Sequence, residues 1–233
     1  MIDSSASAAP GRWVLTGLGL LCLGLLFGGI AIGVVMGGVL PLPYGRATAV
    51  TAYVHAQPVA VQVIATATFA SSVPLAVYAA VVAARLRRLG VSAPGALVAL
   101  TGGTLAAGAL GLAGLLAWTL SRPEVGAEAA LIRLVYFLVF LVGGPGHIVA
   151  LGLLVAGMAV PGLVRGLTPR PVAWAGIVTA GLAELGTLVL VWPELGVILP
   201  IARVLALVWL VVAGALLPLG RKEIQPTTVT VGD

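Results

Sequence analysis

Six long apolar runs constrain this chain of 233 residues more than any other feature of its sequence. They cover approximately residues 13–39, 59–84, 94–120, 129–160, 172–192 and 198–218. An α-helix needs about 20 apolar residues to cross the hydrocarbon layer of a bilayer. The strands of a membrane barrel would instead alternate apolar and polar residues in segments of about ten. The sequence therefore predicts an all-α fold, in which residues 1–233 form one bundle of six transmembrane helices.

Composition excludes the soluble classes of protein. Hydrophobic residues make up 61% of the chain and charged residues only 8%, whereas soluble domains carry roughly 25% charged residues. The net charge of +5 does not indicate a nucleic-acid partner, because the basic residues lie scattered between the apolar runs and form no stripe with interleaved aromatic residues. We expect the lipid bilayer to be the main partner of the surface.

The distribution of basic residues predicts the orientation of the bundle. With the N-terminus in the cytoplasm, the cytoplasmic side receives Arg12, Arg85, Arg87, Arg88, Arg165, Arg170, Arg221 and Lys222, and the outer loops receive Arg46 and Arg122. Short cytoplasmic loops carry an excess of lysine and arginine. Both termini are therefore expected in the cytoplasm.

A repeated motif suggests that the bundle is built from similar helical hairpins. Residues 123–126 (Pro-Glu-Val-Gly) precede Arg133, and residues 193–196 (Pro-Glu-Leu-Gly) precede Arg203, at a constant offset of 70. Residues 43–46 could mark a diverged third copy in the first hairpin. Parallel repeats of this kind occur in transporters. Chance similarity in a sequence rich in alanine, glycine and leucine is the alternative.

Four ionisable residues inside the predicted helices are the candidate ligand-binding residues, namely Arg133, His147, Glu184 and Arg203. We expect Glu184 to pair with one or both arginines, because an unpaired carboxylate in the membrane would bind a proton or demand a partner. One hypothesis is structural: an ion pair that fixes the register of the helices, or arginines that extend to the outer surface. The other is a polar pocket in the outer half of the membrane, where the arginines bind an anionic group.

His147 follows residues 143–146 (Gly-Gly-Pro-Gly), which should weaken or kink the fourth helix. Irregular backbone at membrane depth is tolerated where it lines a cavity. The imidazole could bind a metal, a haem or a proton there, or it could be a buried histidine that a neighbouring backbone group satisfies. The only other histidine, His55, falls in the predicted outer loop before the second helix.

The sequence assigns no catalytic residue, metal ligand or cofactor. It contains no Gly-x-Ser-x-Gly or His-Glu-x-x-His motif. Its single cysteine, Cys22, lies inside the first apolar run. The absence of these motifs favours a protein that is not an enzyme without deciding the question.

Several stretches of the last third resemble known membrane proteins. Residues 146–152, 171–176, 183–188 and 199–203 (Leu-Pro-Ile-Ala-Arg) are similar to uncharacterised six-helix membrane proteins of actinobacteria, which are classed as domains of unknown function. The resemblance implies a bundle fold and a bacterial plasma membrane, and it brings no activity with it. Glu184 and Arg203 fall in the matched stretches.

The leading hypothesis from the sequence is a membrane protein that binds or transports a small anionic ligand through an intramembrane polar pocket. The alternative is an accessory subunit that packs against another membrane protein or against a second copy. A haem or redox protein that uses His147 is the third hypothesis.

Overall fold

The computed structural model describes residues 11–91, 93–126 and 128–220, and all regular structure within these ranges is helical. Six helical spans are long and apolar enough to cross a membrane. They are Trp13–Gly37, Pro58–Arg88, Pro94–Thr119, Ala129–Val164, Arg170–Leu190 and Pro193–Leu216. The predicted all-α bundle of six membrane-spanning helices is confirmed. The tails 1–10 and 221–233, on which part of the orientation prediction depends, lie outside the described residues.

The spans are built from α-helices with short irregular turns between or within them. In chain order they are α1 (Arg12–Gly37), α2 (Ala47–Ala56), α3 (Pro58–Arg88), α4 (Ala93–Thr119), α5 (Pro123–Gly126), α6 (Ala129–Leu141), α7 (His147–Val164), α8 (Arg170–Glu184) and α9 (Ile198–Leu216). A π-helical turn, Val142–Gly146, joins α6 to α7. The 3₁₀ turns Leu185–Leu190 and Pro193–Val197 connect α8 to α9.

The bundle has two ends, which we call proximal and distal. The proximal end carries the turns at Gly90 and Gly166, whose φ angles of 81° and 64° lie in the left-handed region that favours glycine. Arg165 donates a hydrogen bond to the carbonyl of Gly90, and Arg85 donates one to the carbonyl of Gly11. The distal end is the opposite one and carries segments 38–46, 120–126 and 191–197.

The main core lies where α1, α3, α4, α7 and α9 meet. Gly102 of α4 and Gly157 of α7 allow these two helices to touch backbone to backbone. A Cβ atom on Gly102 would lie 2.5 Å from the amide nitrogen of Leu154, and one on Gly157 would lie 2.5 Å from that of Ala99. Such close approach is how helices associate in lipid, where no hydrophobic force drives them together.

The segment around Pro145 forms a π-helical turn inside a continuous span. Proline has no amide hydrogen to give to the helical ladder, so a break is expected near this position. The turn keeps the helix going, with Gly144 and Pro145 buried, and α7 starts directly at His147. The predicted weak point is therefore present, and its form is an inserted wide turn.

One helix lies in a segment that the sequence analysis treated as a loop. Helix α2 covers Ala47–Ala56 and includes His55. Its Val50 and Val54, one helical turn apart, are buried against Leu120 and Ile132. Ten residues are too few to cross a bilayer. Long apolar runs therefore did not predict this helix, which lies at the distal end of the bundle.

Candidate functional site

A cavity of about 880 Å³ occupies the distal half of the bundle. Its walls come from α1, α3, α4, α6 and α9, and the segments around Tyr44 and Glu194 border it at the distal end. Most of the lining side chains are apolar. The polar or charged ones are Thr68, Tyr44, Tyr136, Glu194 and Arg203. The volume falls within the range of roughly 300–1,000 Å³ that is typical of ligand pockets.

Aromatic side chains build the wall of the cavity nearest the distal end. The rings of Phe137 and Phe140 on α6 meet the ring of Tyr44 edge to face, with centroids 5.6 and 5.3 Å away. The hydroxyl of Tyr136 donates to the carbonyl of Pro41 over 2.6 Å. These contacts fix the segment between α1 and α2 against α6. On α2, outside the spans, partial burial raises the pKa of Tyr53.

Arg203 is the cationic residue of the cavity among the described residues. It lies on α9, five residues after the helix begins at Ile198. Its Nη2 donates to the carbonyl of Gly143, whereas its Nε is buried and has no hydrogen-bond partner. Nη1 has no hydrogen-bond partner either and is not buried. No carboxylate lies within 4.0 Å of this guanidinium in the described part of the chain.

The π-helical turn explains why the carbonyl of Gly143 can accept this bond. In an α-helix the amide of His147 would bond to Gly143, four residues earlier. Here that amide bonds to the carbonyls of Val142 and Gly144 instead. Gly143 therefore loses its α-helical donor, and the guanidinium of Arg203 takes its place.

His147 lies on the other side of the same turn and is fully buried. Its Nδ1 is 2.9 Å from the carbonyl of Ala106 on α4. Because a carbonyl only accepts, Nδ1 must carry the hydrogen, and Nε2 of the neutral ring is then an acceptor. That Nε2 is buried and has no partner. His147 does not line the cavity, and the described residues contain no group of three or more His, Cys, Asp or Glu that could hold a metal ion.

Glu184 is the last residue of α8, and its side chain is exposed on the surface of the bundle. Its Oε1 lies beside Gly152 of α7, where an added Cβ would come within 3.1 Å. It makes no hydrogen bond or ion pair with another described residue. Glu184 does not line the cavity.

Arg133 is exposed on α6 and also lies outside the cavity lining. Its guanidinium carbon is 5.9 Å from the ring centroid of Phe137, near the roughly 6 Å limit of a cation–π contact. The expected pairing of Glu184 with Arg133 or Arg203 is not found among the described residues, where both arginines are free of carboxylates within 4.0 Å. Of the four candidates, the structure brings Arg203 alone into the cavity.

Most of the cavity lining was not predicted from the sequence. Glu194 stood out only within the repeated Pro-Glu motif, and Tyr44 and Tyr136 did not stand out at all. The signal that could have found two of them is local: Tyr44 and Glu194 each follow a proline in a distal segment. The apolar walls carry no such signal, because side chains that face a cavity and side chains that face lipid are equally apolar.

Comparisons with known proteins give no relative: no family model, no curated protein and no solved structure matches the chain.

Proposed function

We propose that this protein binds a small anionic ligand inside the membrane, as a carrier or receptor of that ligand, with Arg203 as its anchor. The observation that carries the proposal is a guanidinium without an ion-pair partner. Arg203 lines a mostly apolar cavity, its Nε and Nη1 have no hydrogen-bond partner, and Glu194, which borders the same cavity, is not within 4.0 Å of it. A buried charge is stable only when it is paired. Hydrogen bonds between a guanidinium and an anion are about twice as strong as neutral ones.

The orientation predicted from the arginines places the distal end, and with it the cavity, in the outer half of a bacterial plasma membrane. Arg87, Arg88 and Arg170 all belong to the proximal end, and an excess of arginine is typical of the cytoplasmic side. The ligand would then be exchanged with the outer leaflet or with the external medium.

Native mass spectrometry of the protein, purified gently in detergent, tests the proposal. Arg203→Gln removes the charge and keeps a side chain of similar polarity, and Arg203→Lys keeps the charge. The matched control is Arg133→Gln, an arginine of the preceding hairpin that lies outside the cavity. We expect wild type and Arg133→Gln to carry a defined anionic mass, Arg203→Lys to retain part of it, and Arg203→Gln to lose it. The same adduct on all four proteins would refute the proposal, and so would a bare wild type.

Packing against another membrane protein is the second candidate function, and the environment of Glu184 favours it. This carboxylate lies within the fifth span, exposed on the surface of the isolated bundle and without a partner among the described residues. A charged side chain near the centre of a membrane helix costs roughly 3 kcal/mol on translocon scales. A partner helix or a second copy with a basic or hydrogen-bonding residue would remove much of this cost.

Glu184→Gln tests this second function, with Leu188→Gln as a control on the same exposed surface. We expect chemical crosslinking in native membranes to trap a larger species for wild type and for Leu188→Gln. The larger species should be lost in Glu184→Gln. An unchanged crosslinking pattern in Glu184→Gln would contradict the interpretation.

A further inference from the structure

Helix α1 has two different neighbours along its length. In its proximal half, Gly19 packs against α9, where an added Cβ would lie 2.9 Å from Cγ2 of Val211. In its distal half, Gly29 and Gly33 pack against α3, and added Cβ atoms there would meet Ala67 at 2.0 Å and Ile64 at 2.2 Å. Helix α1 therefore contacts α9 only in its proximal half, whereas α3 accompanies it from Gly11 to the distal end.

The cavity fills the space between the distal half of α1 and the start of α9. Leu26 and Ile30 of α1 line it, and so do Leu199 and Arg203 of α9. Ile30 follows Gly19 by eleven residues, or about 16 Å along a helix at 1.5 Å per residue. The two helices touch each other in the proximal half, and in the distal half they face each other across the cavity.

The cavity also reaches the surface of the bundle beside α9. Val197 and Pro200 line it, and both are exposed, Val197 with 64% of its surface. Val197 ends the 3₁₀ turn before α9, and Pro200 lies in the first turn of α9. Residues that belong to the lining and to the bundle surface mark an opening of the cavity beside the start of α9.

We propose that the ligand is an anionic lipid that enters sideways through the gap between α1 and α9. Its acidic head group lies in the cavity at Arg203, and its hydrocarbon chain extends through the gap into the bilayer. Three features of the cavity match this class of ligand: a guanidinium with no carboxylate within 4.0 Å, walls that are mostly apolar, and an opening at the bundle surface beside α9. The inference rests on the function proposed above, because it needs Arg203 to bind an anion.

The experiment compares a lipid with a soluble anion that has the same acidic group. The protein is placed in nanodiscs of phosphatidylcholine with a minority of phosphatidylglycerol, and lipid adducts are measured after release by native mass spectrometry. Dimethyl phosphate, added to detergent-solubilised protein, supplies the phosphodiester without chains. Ile30→Trp narrows the gap, and Ile32→Trp is the matched control, since Ile32 is exposed on α1 and does not line the cavity.

We expect wild type and Ile32→Trp to retain phosphatidylglycerol in preference to phosphatidylcholine. In both Ile30→Trp and Arg203→Gln the amount of bound phosphatidylglycerol should fall about tenfold or more. If Arg203→Gln has no effect on either ligand, the proposed anion site fails and this inference fails with it. If dimethyl phosphate binds through Arg203 but phosphatidylglycerol shows no preference, the anion site stands and the lipid is overturned. An undiminished adduct on Ile30→Trp would overturn entry through the gap. A thermal unfolding midpoint equal to that of wild type shows that a variant is folded.

Discussion

His147 directly follows the π-helical turn and Arg203 donates to it, and each side chain keeps a nitrogen without a hydrogen-bond partner. Arg203 donates to Gly143 and keeps an uncompensated charge at the edge of the cavity. His147 bonds to Ala106 and keeps a bare ring nitrogen inside the protein. The charge can attract an anion that enters the cavity, whereas the ring nitrogen is buried and lies outside the lining of that cavity.

His147→Leu should therefore lower stability without abolishing ligand binding. The substitution removes a buried hydrogen bond to Ala106 and leaves that carbonyl with one partner fewer, at a cost of about 1–3 kcal/mol. We expect a lower thermal midpoint in detergent together with an Arg203-dependent adduct of unchanged mass. Leu153→Ala, at an exposed position of the same helix, should change the midpoint much less. Loss of the adduct in folded His147→Leu would show that the histidine belongs to the binding site.

At this scale the sequence identified the ionisable residues and failed to place them. Arg133, His147, Glu184 and Arg203 stood out because each interrupts an apolar run. Their directions could not be derived, because lipid and the interior of the bundle are both apolar and leave no polar face along a helix. The expected pairing of Glu184 rested on the cost of an unpaired carboxylate in the membrane, and that cost gives no distance to a partner.

Helix packing in this protein depends on a few glycines whose neighbours are backbone atoms. Gly102 of α4 is one of them, since an added Cβ would lie 2.5 Å from the amide nitrogen of Leu154 and 2.8 Å from the carbonyl carbon of Leu153. Backbone cannot move aside as the end of a flexible side chain can. Gly108 lies on the same helix with nothing within 4 Å of its added Cβ, so the two glycines form a matched pair.

We expect Gly102→Ala to destabilise the bundle and Gly108→Ala to leave it unchanged or slightly more stable. In the first variant α4 and α7 must separate, with a cost of about 1–3 kcal/mol that is typical of overpacking. In the second, alanine gains up to about 1 kcal/mol of helix propensity. Thermal unfolding of both variants in the same detergent measures the difference. Equal midpoints would contradict the close contact of α4 with α7.

The elements that span the membrane could be predicted and the shorter ones could not. A long apolar run is a physical requirement for crossing a bilayer, so the six spans were evident from composition along the chain. The sixth span begins earlier than expected, since a 3₁₀ turn from Pro193 precedes α9. Helix α2 was missed because its two buried valines make a pattern of only one helical turn.

At the scale of the whole molecule, the two copies of the suspected repeat have similar distal turns but differently placed arginines. Each of the two Pro-Glu segments of the suspected repeat forms a short helical turn at the distal end, Pro123–Gly126 and Pro193–Val197. Their arginines differ, since Arg133 is exposed and Arg203 lines the cavity. The repeat stays a prediction, and only one of its two arginines, Arg203, lines the cavity.

Single-cysteine labelling in intact cells tests the orientation. Glu194→Cys lies at the distal end and Pro169→Cys at the proximal end, and both positions are exposed. The native Cys22 is fully buried and can be replaced by alanine to remove background. A thiol reagent that does not cross membranes should label Glu194→Cys in intact cells and Pro169→Cys only after the cells are opened. The reverse pattern would place the cavity toward the cytoplasm.

The π-helical turn gives the fourth span one place where its chain length can change. A π turn contains one residue more than the α-helical turn it replaces, and each residue rotates an α-helix by about 100°. Loss of a single codon for Gly143 or Gly144 would therefore leave an ordinary α-helical turn and keep α7 in its present orientation, with Gly157 still against Ala99. An in-frame deletion within α7 itself would instead rotate one part of that helix against the other. The short turn is therefore where this span tolerates a change of residue number.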